Sequence, residues 1–482
     1  MSRTDCRFWG ALFAAMIFLS CSAAADECDT EQDPEASIVA CTQGIKSGKW
    51  KGRDLAAYYN NRAAAYRAKG DSDRAIADLN EAIRLDPKLA MAFNNRGAAY
   101  NERGDNDRAI ADYNEAIRLD PKLAMAFSNR GNAFTDKDDY DRAIADHTEA
   151  IRLDPAFARA FQNRGSAWHE KGDNDRAIAD YNEAIRLDPK HARAFVGRGI
   201  AFGDKGDNGR AIADYSEAIR LDPKEAMAFN HRGRAYLEKG DDISAIADHS
   251  AAIRIDPEDA GAFTSRGLAY RVKGDIDRAI SDYDEAIRLN PKSGRAFVGR
   301  GSVFSNKGDF NRATADYNEA VRLNSKSALA YFARGRSYLF AGSVEKALAD
   351  FNQAGANAPE DAYVALWVDI VGRRNNLPSR LAQTSSRIDM TVWPAPVIRL
   401  FMEQMTPAAV LAAADDPDAT RKKGQVCEAN FYSAELSLTK GLKDEATRLF
   451  RLAASDCPHG FNEWDAANAE LKALGVAPSA AQ

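Results

Sequence analysis

Residues 90–123, AMAFNNRGAAYNERGDNDRAIADYNEAIRLDPKL, form a 34-residue unit that recurs in one register from Ala56 to Asp361, giving nine copies. A period of that length marks a helical solenoid, in which each unit buries its apolar face against the next. Within the unit, Phe93, Tyr100 and Tyr113 occupy recurring large apolar positions, and Gly97, Ala109 and Ala116 occupy small ones. Both sets follow helical spacing along two separate segments, so bulky knobs meet small-residue holes. Gly104 supplies a turn residue that accepts positive φ. Asp120-Pro121 ends the second segment, because proline lacks an N–H and disfavours helix at the residue before it. The unit is therefore predicted to be a helix-turn-helix, and the chain all-α.

Phe93, Gly97, Tyr100, Ala109, Tyr113, Ala116 and Pro121 resemble the signature of the tetratricopeptide repeat (TPR), with Phe in place of the usual Trp. The match extends over nearly two thirds of the chain. The resemblance implies a right-handed α-solenoid with helical caps. It also implies a concave groove, lined by the first helix of each repeat, that takes a protein or an extended peptide.

Composition is that of a folded chain: 45% hydrophobic, 28% charged and 9% aromatic residues. Net charge is −6, and −7 once residues 1–25, with Arg3, Arg7 and Asp5, are set aside. That balance argues against general nucleic-acid or anionic-membrane binding. Residues 1–25 read as an export signal, with Arg3 and Arg7, an apolar run from Phe8 to Leu19, and Ala23-Ala24-Ala25 as the cleavage site. A rival reading takes Phe18-Leu19-Ser20-Cys21 as a lipoprotein signal with lipid on Cys21, and an uncleaved anchor is a third. The apolar run falls short of the roughly 20 residues of a membrane span, and no other segment could cross one. The expected location is the periplasm, or the outer membrane if Cys21 is lipidated.

Cys6 and Cys21 lie in the leader, leaving Cys28, Cys41, Cys427 and Cys457, an even number suited to an oxidising compartment. Three pairings are open. Locality favours Cys28 with Cys41 and Cys427 with Cys457, each pinning one end of the solenoid.

In chain order the expected organisation is a leader (1–25), an N-terminal cap (26–55) and nine repeats (56–361). An irregular helical connector (362–426), a degenerate repeat (427–460), a capping helix (461–475) and a disordered tail (476–482) follow. In the connector, 363–374 and 394–405 read as helices, 375–391 as a polar link, and Thr406-Pro407 as the start of a further helix.

Arg stands at position 7 and Asp at position 23 of every copy, which predicts a ladder of guanidinium–carboxylate pairs inside each hairpin. The candidate groove residues are Asn61, Asn95, Asn129 and Asn163 at position 6, with Asn94, Asn101, Arg159 and Arg193 beside them. A row of amides both donates and accepts, so it could hold a peptide backbone without reading its side chains. The groove turns apolar toward Val298, Leu329, Phe332, Leu339 and Phe340, a stretch the C-terminal helices could cover. Gly197-x-Gly199 and Gly299-x-Gly301 look like phosphate-loop fragments but fall inside helices. His147 and His249 replace Tyr at a core position and read as packed, satisfied histidines. No metalloprotease, CxxC, nucleophile-elbow or Walker pattern occurs. Neither catalysis nor a cofactor or metal is expected; the alternative is an enzyme whose site goes undetected in the helical residues after Asp361.

Residues 427–475, with 393–411 before them, resemble the C-terminal portion of the NlpI family of bacterial outer-membrane lipoproteins. The resemblance rests on Trp393, Phe401, Asn430, Phe431, Tyr432, Gly441, Phe450, His459, Phe461 and Glu463 among others. It implies an envelope adaptor, a homodimer in that family, that presents cell-wall hydrolases to a processing protease.

Overall fold

The structure is a computed structural model that describes residues 28, 33–457 and 461–476. Among them every regular element is helical. The leader, the Cys21 site, His459 and the tail beyond residue 476 lie outside the described residues. The chain divides into two compact units, Met1–Lys205 and Gly206–Gln482.

The first unit opens with the Pro34–Lys46 helix, whose Asp33 side chain accepts the Glu35 N–H at 3.1 Å. A disulfide joins Cys28 to Cys41, and Tyr58 packs against both. Hairpins follow, and the second shows the pattern. Its helices run Ala90–Glu102 and Asn106–Leu119, and Gly104 sits between them at φ 76°. Asp105 caps the second helix by accepting the Arg108 N–H. Asp120 leaves the helical region at φ −134°, as Pro121 requires. In the third hairpin Asp138 takes the turn at φ 58°, because a short polar side chain tolerates the left-handed region.

Packing between the paired helices depends on the small residues. A Cβ at Gly97 would stand 2.8 Å from the buried Tyr113 ring. Arg96 donates its Nε and Nη2 to the two oxygens of Asp112, both at 2.7 Å, and its Nη1 to Asn80 Oδ1 of the preceding repeat at 2.7 Å. The Phe93 ring lies 5.5 Å from that guanidinium. The same two-pronged pairing recurs at Arg62–Asp78, Arg130–Asp146 and Arg164–Asp180. In the second unit it joins Arg232–Asp248, Arg266–Asp282, Arg300–Asp316 and Arg334–Asp350. These arginines therefore lock hairpins together and are turned toward protein carboxylates.

The second unit carries hairpins through Ala328–Phe340 and Val344–Asn357, and then the Ala362–Arg374 helix. Its C-terminal core gathers around the buried Trp367, with Phe351, Phe431 and Phe332 at 5.7, 5.9 and 6.3 Å between ring centroids. Beneath it Arg374 binds two buried carboxylates, Glu435 at 2.6 Å and Glu470 at 2.9 Å. Cys427 and Cys457 form a disulfide that joins the Ala419–Thr439 helix to the end of Lys443–Asp456.

Three local expectations differ from the structure. Residues 375–391 are more than a polar link, because Leu381 opens a short helix, Leu381–Thr384, and it and Ile388 are buried in the core. The helix expected over 394–405 covers only Ala395–Phe401. Glu403 turns left-handed at φ 59°, and the Gln404 N–H returns to the Arg399 carbonyl at 2.8 Å, closing the helix early. The helix bearing Cys427 starts at Ala419, because Asp418 caps it by accepting the N–H groups of Thr420 and Arg421.

Candidate functional site

Two surfaces compete for the role of binding site, one in each unit.

In the first unit the asparagines bond to one another. Asn129 donates to Asn94 at 2.9 Å, Asn94 to Asn95 at 3.3 Å, Asn95 to Asn60 at 2.9 Å and Asn60 to Asn61 at 3.2 Å. This directional relay of amides crosses three repeats. Asn163 donates to Asn132 at 2.8 Å, and Asn101 to Asp136 at 2.7 Å. Asn94 is buried, whereas Arg159 and Arg193 are exposed and flank His191. Each relay amide thus spends acceptor or donor capacity on its neighbours. A list of positions could not reveal this, because the bonds join different repeats.

The two glycine pairs also acquire a structural role. A Cβ at Gly197 would lie 2.6 Å from the Tyr181 ring, and one at Gly299 would lie 2.4 Å from Tyr283. These glycines make room for the ring of the preceding repeat. The two core histidines diverge from the expectation that both are satisfied. His249 pairs Nδ1 with Asn230 Oδ1 at 2.8 Å but leaves Nε2 unpartnered, and among the described residues neither ring nitrogen of His147 has a hydrogen-bond partner. Burial pushes His147 down to about 3 and His249 to about 4, so both are neutral.

In the second unit the apolar stretch foreseen at the groove's end splits. Phe332 and Leu339 are buried in the Trp367 core, while Leu329 remains 57% exposed. Beside Leu329 opens a hollow of about 450 Å³, walled by Phe332, Tyr363, Val364, Phe461, Glu428 and Glu463. An adjoining hollow of about 520 Å³, bordered by Val392, Trp393 and Arg421, shares Phe461 and Glu428 with it. Val392 is also exposed.

Glu428 is 7% exposed and projects from the middle of the Ala419–Thr439 helix. Its Oε2 accepts the Tyr363 hydroxyl at 2.9 Å and the Trp393 Nε1–H at 2.7 Å. Glu463, equally buried, accepts the Tyr432 hydroxyl at 3.1 Å. Burial, and then the charge of Glu463, push the Glu428 carboxyl up to about 8, against the pull of the Trp393 and Tyr363 bonds. Burial also raises Glu463, although the nearby Arg336 partly offsets it. The same burial, with the two carboxylates, drives the Tyr432 hydroxyl well above its ordinary value. Sequence reading missed Glu428, whose neighbours Tyr363 and Trp393 stand 65 and 35 residues away.

Among the described residues no group of His, Cys, Asp and Glu could hold a metal ion, and no helix is long and apolar enough to cross a membrane.

Comparison with known proteins follows the same lines. A family model described as TPR repeat matches residues 63–102, 97–138, 131–172 and 165–206. Two models described as tetratricopeptide repeat match 196–260 with 298–362, and 260–293. Together these matches span more than half of the chain. Among solved structures, a tetratricopeptide repeat protein from Parabacteroides merdae is 20% identical, covering 52% of this chain and 98% of its own, at a TM-score of 0.45. YrrB, described as a TPR protein with an unusual peptide-binding site, is 23% identical over 39% of this chain and 97% of its own, at 0.32. The Cut9–Hcn1 hetero-tetramer of APC/C is 14% identical over 73% of this chain and 97% of its own, at 0.41.

Proposed function

Because this chain belongs to the tetratricopeptide repeat family, we propose that it is a non-catalytic scaffold holding an extended segment of a partner protein in the hollow beside Glu428. The observation that carries this reading is the exposed Leu329 at the rim of an aromatic-walled hollow, where the neighbouring Phe332 and Leu339 are buried. An exposed large apolar side chain bordering a concave apolar site is how such scaffolds anchor a partner. The test is binding of a fluorescent apolar pentapeptide, Gly-Leu-norleucine-Leu-Gly, to the full chain by anisotropy. Leu329→Glu should abolish binding, and Asn95→Ala with Asn129→Ala should retain it. The reverse pattern would move the seat to the first unit, where Asn61 ends the amide relay as an acceptor.

The same reading places the scaffold in the bacterial periplasm. Support comes from the basic-then-apolar leader and from two disulfides, which persist in oxidising compartments. A second reading is an NlpI-type lipoprotein adaptor in cell-wall hydrolase turnover, dimeric and anchored through Cys21. It draws on the resemblance of residues 393–475, within which Trp393, Tyr432 and Glu463 all serve the Glu428 hollow. Metabolic lipid labelling lost in Cys21→Ala would support the anchored form, and no labelling of the wild type would support soluble export.

A further inference from the structure

The hollow presents an unusual polar floor for an apolar site. Glu428 has two carboxylate oxygens, and the Tyr363 and Trp393 bonds both fall on Oε2, so that among the described residues Oε1 accepts no hydrogen bond at the hollow's edge. Glu463 faces the same hollow and receives one hydroxyl. Asp361 also borders it, its Oδ1 engaged in capping the Ala362–Arg374 helix. Against these three carboxylates stand two arginines. Arg421, bordering the adjoining hollow, is paired with Asp416 at 3.0 Å, and Arg336 acts on Glu463. The balance inside the hollow turns negative once Glu428 gives up the proton that burial holds on it up to pH about 8. A carboxylate oxygen that lines the hollow can accept from a donor that enters it.

We propose, on the premise that this hollow seats a partner's extended segment, that the segment places a lysine side chain between Glu428 Oε1 and Glu463, with its aliphatic stem along Leu329, Phe332 and Phe461. Lysine fits this floor better than arginine. An ammonium distributes its three donors over separate acceptors, whereas a guanidinium fork takes both oxygens of one carboxylate, and Glu428 Oε2 is already committed twice. The stem suits the apolar walls, since lysine buries its methylenes while its head seeks polar partners. The aromatic rings of Tyr363 and Phe461 add a surface that attracts cations. The crowding of carboxylates that raises Glu428 and Glu463 is relieved when a positive charge enters between them.

The experiment measures anisotropy of fluorescein-labelled, amidated pentapeptides Gly-Leu-X-Leu-Gly on the full chain, with X as lysine, acetyl-lysine, arginine or norleucine. Free cadaverine serves as competitor. The lysine peptide should bind roughly tenfold or more tightly than the acetyl-lysine peptide, as expected for one desolvated ion pair. Glu428→Gln should erase that difference, so that the lysine and acetyl-lysine peptides bind the variant alike, and circular dichroism should show the variant folded. Equal binding of the lysine and norleucine peptides to the wild type would overturn the lysine seat and leave the apolar hollow standing. A preference for arginine would overturn the donor geometry. Cadaverine binding as tightly as the lysine peptide would overturn a partner segment in favour of a small diamine. If no peptide binds, and Leu329→Glu changes nothing, the hollow itself fails as the seat.

Discussion

Arg96 and Asp112 give the sharpest test of how the repeats hold together. Their side chains are 20% and 9% exposed, and the guanidinium makes two 2.7 Å bonds to the carboxylate and a third to Asn80 of the preceding repeat. The Asp112 bonds hold the Arg96 charge on more firmly than usual, against the pull of burial. Arg96→Met keeps the stem but strands Asp112 with no cation. Breaking a fully buried pair costs about 3–5 kcal/mol, and the one-fifth exposure of Arg96 admits enough water to bring this to about 2–3 kcal/mol. Arg96→Lys preserves charge but cannot reach Asp112 twice and Asn80 once, so it should lose about 1–2 kcal/mol. The double variant Arg96→Met with Asp112→Leu removes both charges and should recover to within about 1 kcal/mol of the wild type. Repeat arrays open locally, so the assay is native-state hydrogen exchange of amides in the 90–102 and 106–119 helices, beside urea unfolding. A loss below about 0.5 kcal/mol in Arg96→Met would refute the reasoning, because that is the behaviour of an exposed ion pair. So would a double variant as unstable as the two singles summed.

Three further expectations concern residues that depart from the repeat. His147, neutral and without partners, releases its stabilising contribution as pH falls from about 6.5 toward its folded value of about 3, because the unfolded chain takes up the proton first. His147→Tyr should therefore raise stability by about 1–2 kcal/mol at pH 7 and by more at pH 5 in thermal melts; a smaller gain at pH 5 than at pH 7 would count against it. Gly197→Ala would drive a Cβ into the Tyr181 ring and should cost about 1–3 kcal/mol, with partial rescue by Tyr181→His, whose shorter ring vacates the clashing atoms. Failure of that rescue in chemical unfolding would place the strain elsewhere. For Glu428, burial keeps a proton in the folded chain that the unfolded chain releases. Its contribution is complete below pH about 4.5 and is lost as pH climbs to about 8. Glu428→Gln should then stabilise more at pH 8 than at pH 5, by a difference on the order of 2–4 kcal/mol; parallel stability curves would show the carboxyl ionising freely.

Much of this architecture is legible because it is local. Gly104, Asp105, Asp120 and Pro121 each act on backbone within a few residues, and the bulky and small positions of one hairpin meet across a single turn. Arg96 and Asp112 are separated by 16 residues within one repeated frame, so their pairing too follows from periodicity. The connector was harder. Polar residues 375–391 hide two buried anchors, Leu381 and Ile388, whose environment comes from Trp367 and its neighbours rather than from their own sequence context.

Sequence alone therefore determined the repeat, its turns and the internal ladder, since each depends on short-range geometry copied many times. Tertiary structure alone decided the fate of the candidate site. It bound the groove asparagines to one another across repeats, and it gathered Tyr363, Trp393 and Glu463 around Glu428 and its two adjoining hollows from distant segments. No periodicity links those four residues; their chemistry arises from burial and from one another's charge, which exist only once the chain has packed.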